Sequence, residues 1–254
     1  KKPIYKRGGK EMIDGIFNGV VNFLLFGMVV GLRRLIHKEG LSSFLIHIDK
    51  RGWILFIEGM VTGVLLFTLY PVIVIILGQG SFKIISGNIF DSVPTVLFIG
   101  FGMLAVSTFE EALFRGYIFV KLLKKYSTGV AILIPSILFG CLHFFAYSSS
   151  LNFWLGLINA TLVAILLCLI VVQTKSLMLA IGYHMSWNLV QDILLVRKNT
   201  FITLEIEKNI LTGGTYNPEA GLIVTGILLV MGLYLFMRQK MGRSTNWDNT
   251  LFNS

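Results

Sequence analysis

A chain of 254 residues that is 55% hydrophobic and only 14% charged, with a mean hydropathy of +0.77, is unlike a soluble domain, where about a quarter of residues are charged. The formal charge of +9 raises nucleic acid as a partner, yet Lys and Arg sit in short clusters beside apolar runs, as in Lys121/Lys124/Lys125 and Arg238/Lys240/Arg243. Clusters of that kind anchor membrane proteins to anionic lipid, so the charge points to the bilayer and away from nucleic acid.

Several apolar stretches reach the roughly 18 residues needed to cross a bilayer as a helix. The expected fold class is therefore all-α, a polytopic transmembrane bundle of six to seven spans at the cell membrane. A single integral membrane domain over residues 1–254 is the expected organisation. Cys141 and Cys168 lie inside apolar spans without C-x-x-C or Cys/His spacing, which predicts small buried hydrophobes. No small-residue cleavage site follows the basic N-terminal region, so no removed leader is expected.

In chain order, the first apolar segment runs from about Ile13 to Ile36, with Asp14, Asn18 and Asn22 on one face at four-residue spacing. Such a stripe suits an interfacial helix or one lining a bundle. The interfacial placement puts the basic N-terminus on the same side as Arg33/Arg34, Lys50/Arg51 and Lys121, which fits the positive-inside tendency better. The second span is Trp53 to Gly78, with a kink expected at Pro71. The third begins near Val93 and continues to Lys125, too long for one straight crossing, so a break is expected near Ser107 or Thr108. Spans four to six follow at about Thr128–Tyr147, Leu151–Gln173 and Ser176–Val196. A polar segment containing Gly213, Gly214 and Pro218 leads to the last, Ala220–Met237.

Ionisable residues inside a bilayer cost at least about 2.5 kcal/mol each, so Glu110, Glu111, Arg115, His143 and His184 need a reason, as does the polar Asn188. Glu110 and Glu111 precede the turn near Tyr126 and Ser127 by as many residues as His143 follows it. At 1.5 Å per residue, an antiparallel pair puts them at the same height of roughly 24 Å. The sixth helix lifts His184 roughly 12 Å and Asn188 roughly 18 Å, on one face, so Glu110, His143, His184 and Asn188 can converge. Glu111 and Arg115 form an i,i+4 pair that can neutralise each other, leaving Glu110 free to face the site. A desolvated carboxylate suits a general base near neutral pH, a neighbouring histidine can orient water, and the second histidine with Asn188 can donate to an oxyanion.

The segments E-E-A-L-F-R-G at 110–116, F-G-C-L-H at 139–143 and H-M-S-W-N at 184–188 resemble the EExxxR, FxxxH and HxxxN motifs of the CPBP family. That family comprises type II CAAX prenyl proteases and bacteriocin-processing or immunity proteins. The resemblance covers about Val93 to Val196, the expected catalytic core. It implies an intramembrane endopeptidase in which Glu110 and His143 activate water, His184 and Asn188 hold the oxyanion, and Glu111 and Arg115 support them. Metal-dependent and metal-free chemistry both remain open. Glu110, His143 and His184 could form a zinc-like set, while the lack of H-E-x-x-H favours catalysis without a metal cofactor.

The expected substrate is a membrane-embedded or membrane-proximal peptide or protein, and the compact loops and basic flanks suit a bacterial membrane protein. Two further classes stand beside the protease. One is a catalytically silent scaffold or immunity protein that regulates a partner cell-envelope enzyme. The other is a proton-coupled transporter, against which the lack of inverted halves argues. Glu58, Asn159, Gln191 and Asp192 carry no assigned role, and the small residues Gly100, Gly102 and Gly156 suggest close helix packing.

Overall fold

A computed structural model describes residues 5–84, 89–147, 152–196, 202–214 and 218–241. Among them the apolar runs form seven principal helices. α1 is Tyr5–His37 and α2 is Lys50–Ile76, whose first turn is capped by Asp49 accepting from the Gly52 amide at 2.7 Å. α3, Val93–Glu111, starts with a proline in its first turn and passes without interruption into π-helical turns, Ala112–Phe119, and a last turn, Val120–Leu123. α4 is Thr128–Leu142, followed by a single turn at Phe144–Tyr147. α5 is Phe153–Thr174, α6 is Met178–Gln191 with a π-helical extension Asp192–Val196, and α7 is Leu222–Met241.

The break expected near Ser107 is absent. In a bilayer an opened backbone has no water to bond, so a long helix changes its winding sooner than it breaks. The irregularity lies one turn later, in the wide turns that carry Arg115, and π-helical turns of this kind recur at functional sites.

Contacts between helices fix their directions. Gly15 packs on Phe98 and Gly102, the Phe23 and Phe101 rings lie 5.6 Å apart, and Arg33 donates to the Gly116 carbonyl at 2.6 Å, so α1 runs parallel to α3. Gly59 meets Leu179, Gly63 meets Tyr183, and the Phe67 and Trp187 rings lie 5.1 Å apart, which makes α2 and α6 parallel. Gly140 packs on Leu157 and Thr161 while Ser136 reaches Cys168 at 3.9 Å, so α4 and α5 are antiparallel. Asn159 bonds the Gly221 carbonyl and Gln173 the Leu235 carbonyl, so α5 and α7 are parallel. With the short connections between α3 and α4 and between α5 and α6, the seven helices alternate in direction.

This order corrects the expected interfacial first helix. α1 lies along α3 at close range, so its N-terminal end is at the side opposite Lys121. Gly15 and Gly19 permit the approach, because a Cβ at either would run into Phe98 or Phe101. Ile13–His37, Lys50–Ile76, Val93–Leu123 and Phe153–Thr174 are each long and apolar enough to cross a bilayer, and Thr128–Leu142 and Leu222–Met237 are shorter apolar helices. The chain is a multi-pass membrane protein built as a helix bundle.

One departure from pure helix is a two-stranded antiparallel sheet, β1 Gly80–Ile84 against β2 Ile202–Ile206, with Gly80 opposite Ile206. It ties the α2–α3 connection to the α6–α7 connection at the side opposite the lysines. At the basic side, Glu39 takes Arg33 at 2.7 Å and Lys121 at 3.0 Å, and the Arg33 guanidinium lies 4.5 Å over the Phe44 ring. Burial opposes ionisation of Glu39, but these two cations outweigh it and lower its pKa to about 2. Cys168 is buried as expected, whereas Cys141 lies on the exposed outer surface of α4.

Candidate active site

Glu111, with 0% of its side chain exposed, sits where α3 gives way to the π-helical turns. Its Oε1 accepts from Arg115 Nη1 at 3.0 Å and from His184 Nδ1 at 2.9 Å. The i,i+4 pair read from the sequence is therefore present, and it also holds the α6 histidine. Arg115 is 1% exposed and lies 4.7 Å over the Phe139 ring, which gives the aromatic residue of the second motif a packing role.

Because Glu111 Oε1 accepts at Nδ1, the opposite nitrogen of His184, Nε2, is turned towards Glu110, whose Oε2 lies 3.8 Å away. Glu110 keeps 23% of its side chain exposed and borders a partly open cavity of about 250 Å³. His143 caps the end of α4. Its Nδ1 donates to the Phe139 carbonyl at 2.8 Å, which leaves Nε2 of the neutral ring with a lone pair. Glu110, His143, His184 and Asn188 all line the same cavity. Glu111 and Arg115 stand behind it, as the two glutamates' different helix faces require.

Helix rise alone separates Glu111 and His184 by roughly 12 Å in height, yet they touch. The reason is where α6 begins. Ser176 and Leu177 are buried, and the Leu177 amide donates to the Leu45 carbonyl at 2.9 Å, so α6 starts inside the bundle instead of at its basic surface.

No group of three or more His, Cys, Asp or Glu side chains among the described residues is arranged to hold a metal ion. In the present geometry Glu110, His143 and His184 do not fit the zinc-like set considered from the sequence.

The sequence reading missed part of the site. Glu219, from the short 3₁₀ turn Pro218–Ala220, lines the cavity together with Tyr147, Asn159, Tyr183 and Trp187. Burial pushes the Glu219 carboxyl above the usual carboxylate range, against hydrogen bonds from its own backbone, Gln191 and Trp187 and the charge of His184. Asn159 and Gln191 stood out as polar residues in apolar spans, which was the available signal. Glu219 lay in a polar connection and gave none.

Residues 92–190 match the family model described as type II CAAX prenyl endopeptidase Rce1-like. All three motifs and every site residue singled out from the sequence fall inside that segment. Over these residues the chain is similar to the Rce1-like family. A CAAX prenyl protease 2 from Methanococcus maripaludis is 33% identical over 127 residues, covering 44% of this chain and 45% of that protein. The chain thus spans less than half the length of that relative. No solved structure matches the chain. The matched segment takes in the π-helical turns of α3 and most of α6, the two elements that bring Glu111 to His184.

Proposed function

We propose that this protein is an intramembrane endopeptidase that hydrolyses a peptide bond of a membrane-associated substrate. The observation that carries the reading is the clamp on His184, which donates a hydrogen bond from Nδ1 to Glu111 of the buried Glu111–Arg115 pair and presents Nε2 to Glu110 in a cavity shared with His143 and Asn188. The Rce1-like family and the CAAX protease relative support the same class of activity.

In this reading Glu110 takes a proton from a water that the free Nε2 of His143 orients, and the hydroxide adds to the scissile carbonyl. The oxygen that becomes negative is met by Asn188 and by Nε2–H of a doubly protonated His184, whose charge Glu111 and Glu110 balance. Glu110 then returns its proton to the departing amine as the C–N bond breaks. Arg115 pairs with Glu111 and so holds in place the acceptor that fixes the His184 ring. Carboxylate, imidazole and amide groups supply every role, so the proposal is catalysis without a metal cofactor.

The test is a comparison of peptide termini in membranes of cells expressing the chain, Glu110→Gln or His143→Ala, mapped by mass spectrometry. New termini that appear with the unchanged chain and disappear in both folded variants support the reading. Termini that persist in both variants would overturn it, and a phenotype retained without cleavage would favour a scaffold.

A further inference from the structure

We propose that the end of the cavity formed by Asn159, Tyr183 and Glu219 is a subsite for a cationic group of the ammonium class, such as a lysine side chain. It rests on the protease reading only for the claim that this group belongs to a substrate.

Charge balance is the first argument. Glu110 and Glu219 both line the cavity, and among the described residues that line it there is no Lys or Arg. Arg115, the nearby cation, is engaged by Glu111. His184 lies with Glu110 and Glu111 and its charge also reaches Glu219, whose side-chain hydrogen-bond partners are the neutral donors Gln191 and Trp187. A carboxylate removed from water needs a proton or a counter-cation, so this end of the cavity has a place for positive charge.

Unused acceptors are the second argument. Asn159 and Tyr183 are each 1% exposed, both line the cavity, and Asn159 Oδ1 and Tyr183 Oη have no hydrogen-bond partner among the described residues. The Asn159 amide is fixed in orientation, because Nδ2 donates to the Glu219 carbonyl at 2.5 Å and to the Gly221 carbonyl at 3.2 Å. Oδ1 therefore remains an acceptor. Native proteins rarely leave such groups unmade, and an ammonium carries three donors and no acceptor. Asn159 bonds the backbone carbonyl of Glu219, and Tyr183 lines the same cavity as both.

Shape is the third. Val163, Val224 and Leu228 line the same cavity and suit the alkyl stem of a lysine. At about 30 Å³ per water, a volume near 250 Å³ holds a side chain and a few waters.

The test uses the full chain in lipid nanodiscs and calorimetric titration with Nα-acetyl-lysine amide and its uncharged counterpart, Nα-acetyl-norleucine amide. The lysine compound is expected to bind at least about tenfold tighter, and Glu219→Gln to remove that preference. Tyr183→Phe, which deletes one acceptor and keeps the ring, is expected to weaken the lysine compound alone by about threefold to tenfold. Equal binding of the two compounds, or a preference that survives Glu219→Gln, overturns the proposal. If Glu219→Gln does not fold, an unchanged preference in Tyr183→Phe does so. Binding is read without turnover, so failure here is distinguishable from failure of the protease reading.

Discussion

Gly63→Ala tests whether the α2–α6 seam sets the geometry of the site. A Cβ at Gly63 would lie 2.5 Å from the Tyr183 carbonyl oxygen and 3.2 Å from the Trp187 amide nitrogen, both backbone atoms of the turn that presents His184. Restoring an ordinary separation requires the two helices to part by roughly 0.8 Å. The His184–Glu111 hydrogen bond is 2.9 Å, so a shift of that size is enough to break it. Overpacking of this kind costs about 1–3 kcal/mol, and a misplacement near 1 Å costs about a hundredfold in rate. Thermal unfolding in nanodiscs and loss of the Glu110-dependent termini measure the two effects. A variant that keeps both its melting temperature and its cleavage would refute the claim that backbone contact across this seam places His184. Gly182→Ala, which faces the Phe56 carbonyl from the other helix, should behave in the same way.

Glu111→Ala leaves Arg115 buried without its partner and should cost about 3–5 kcal/mol, seen as a fall in melting temperature. Replacing the pair together, Glu111→Leu with Arg115→Met, should recover most of that stability without recovering cleavage, because His184 still lacks its acceptor. The folded pKa of Glu39 lies below its ordinary value of 4.5, at about 2. Its contribution is therefore complete above pH 4.5 and is lost as the pH falls towards 2. Melting curves of the unchanged chain and Glu39→Gln should differ at neutral pH and converge across that window. Cleavage that stops when a strong chelator is added, and returns with zinc, would count against the proposed metal-free route.

The all-α class and the order of the apolar helices were legible in the sequence because hydrocarbon demands long runs of apolar residues whatever the fold around them. The candidate site was legible for a related reason. Glu110, His143, His184 and Asn188 stood out because polar residues at membrane depth are costly, and one cavity in the structure collects all four. Glu111 with Arg115 was readable from i,i+4 spacing alone, since both residues belong to one helix.

What the sequence could not carry were relations between helices far apart in the chain. Nothing in the spacing of Asp14, Asn18 and Asn22 shows that α1 lies along α3, because that choice depends on Gly15 and Gly19 meeting Phe98 and Phe101. The height of His184 depended on α6 beginning inside the bundle, which the Leu45–Leu177 hydrogen bond decides and helix rise cannot. Glu219 gave no signal, since a glutamate in a polar connection is ordinary until the fold buries it against Gln191 and Trp187. Composition and local periodicity are set by solvent and by a helix's own geometry, and the sequence determined those. Which side chains meet across helices is set by packing, and only the tertiary structure decided that.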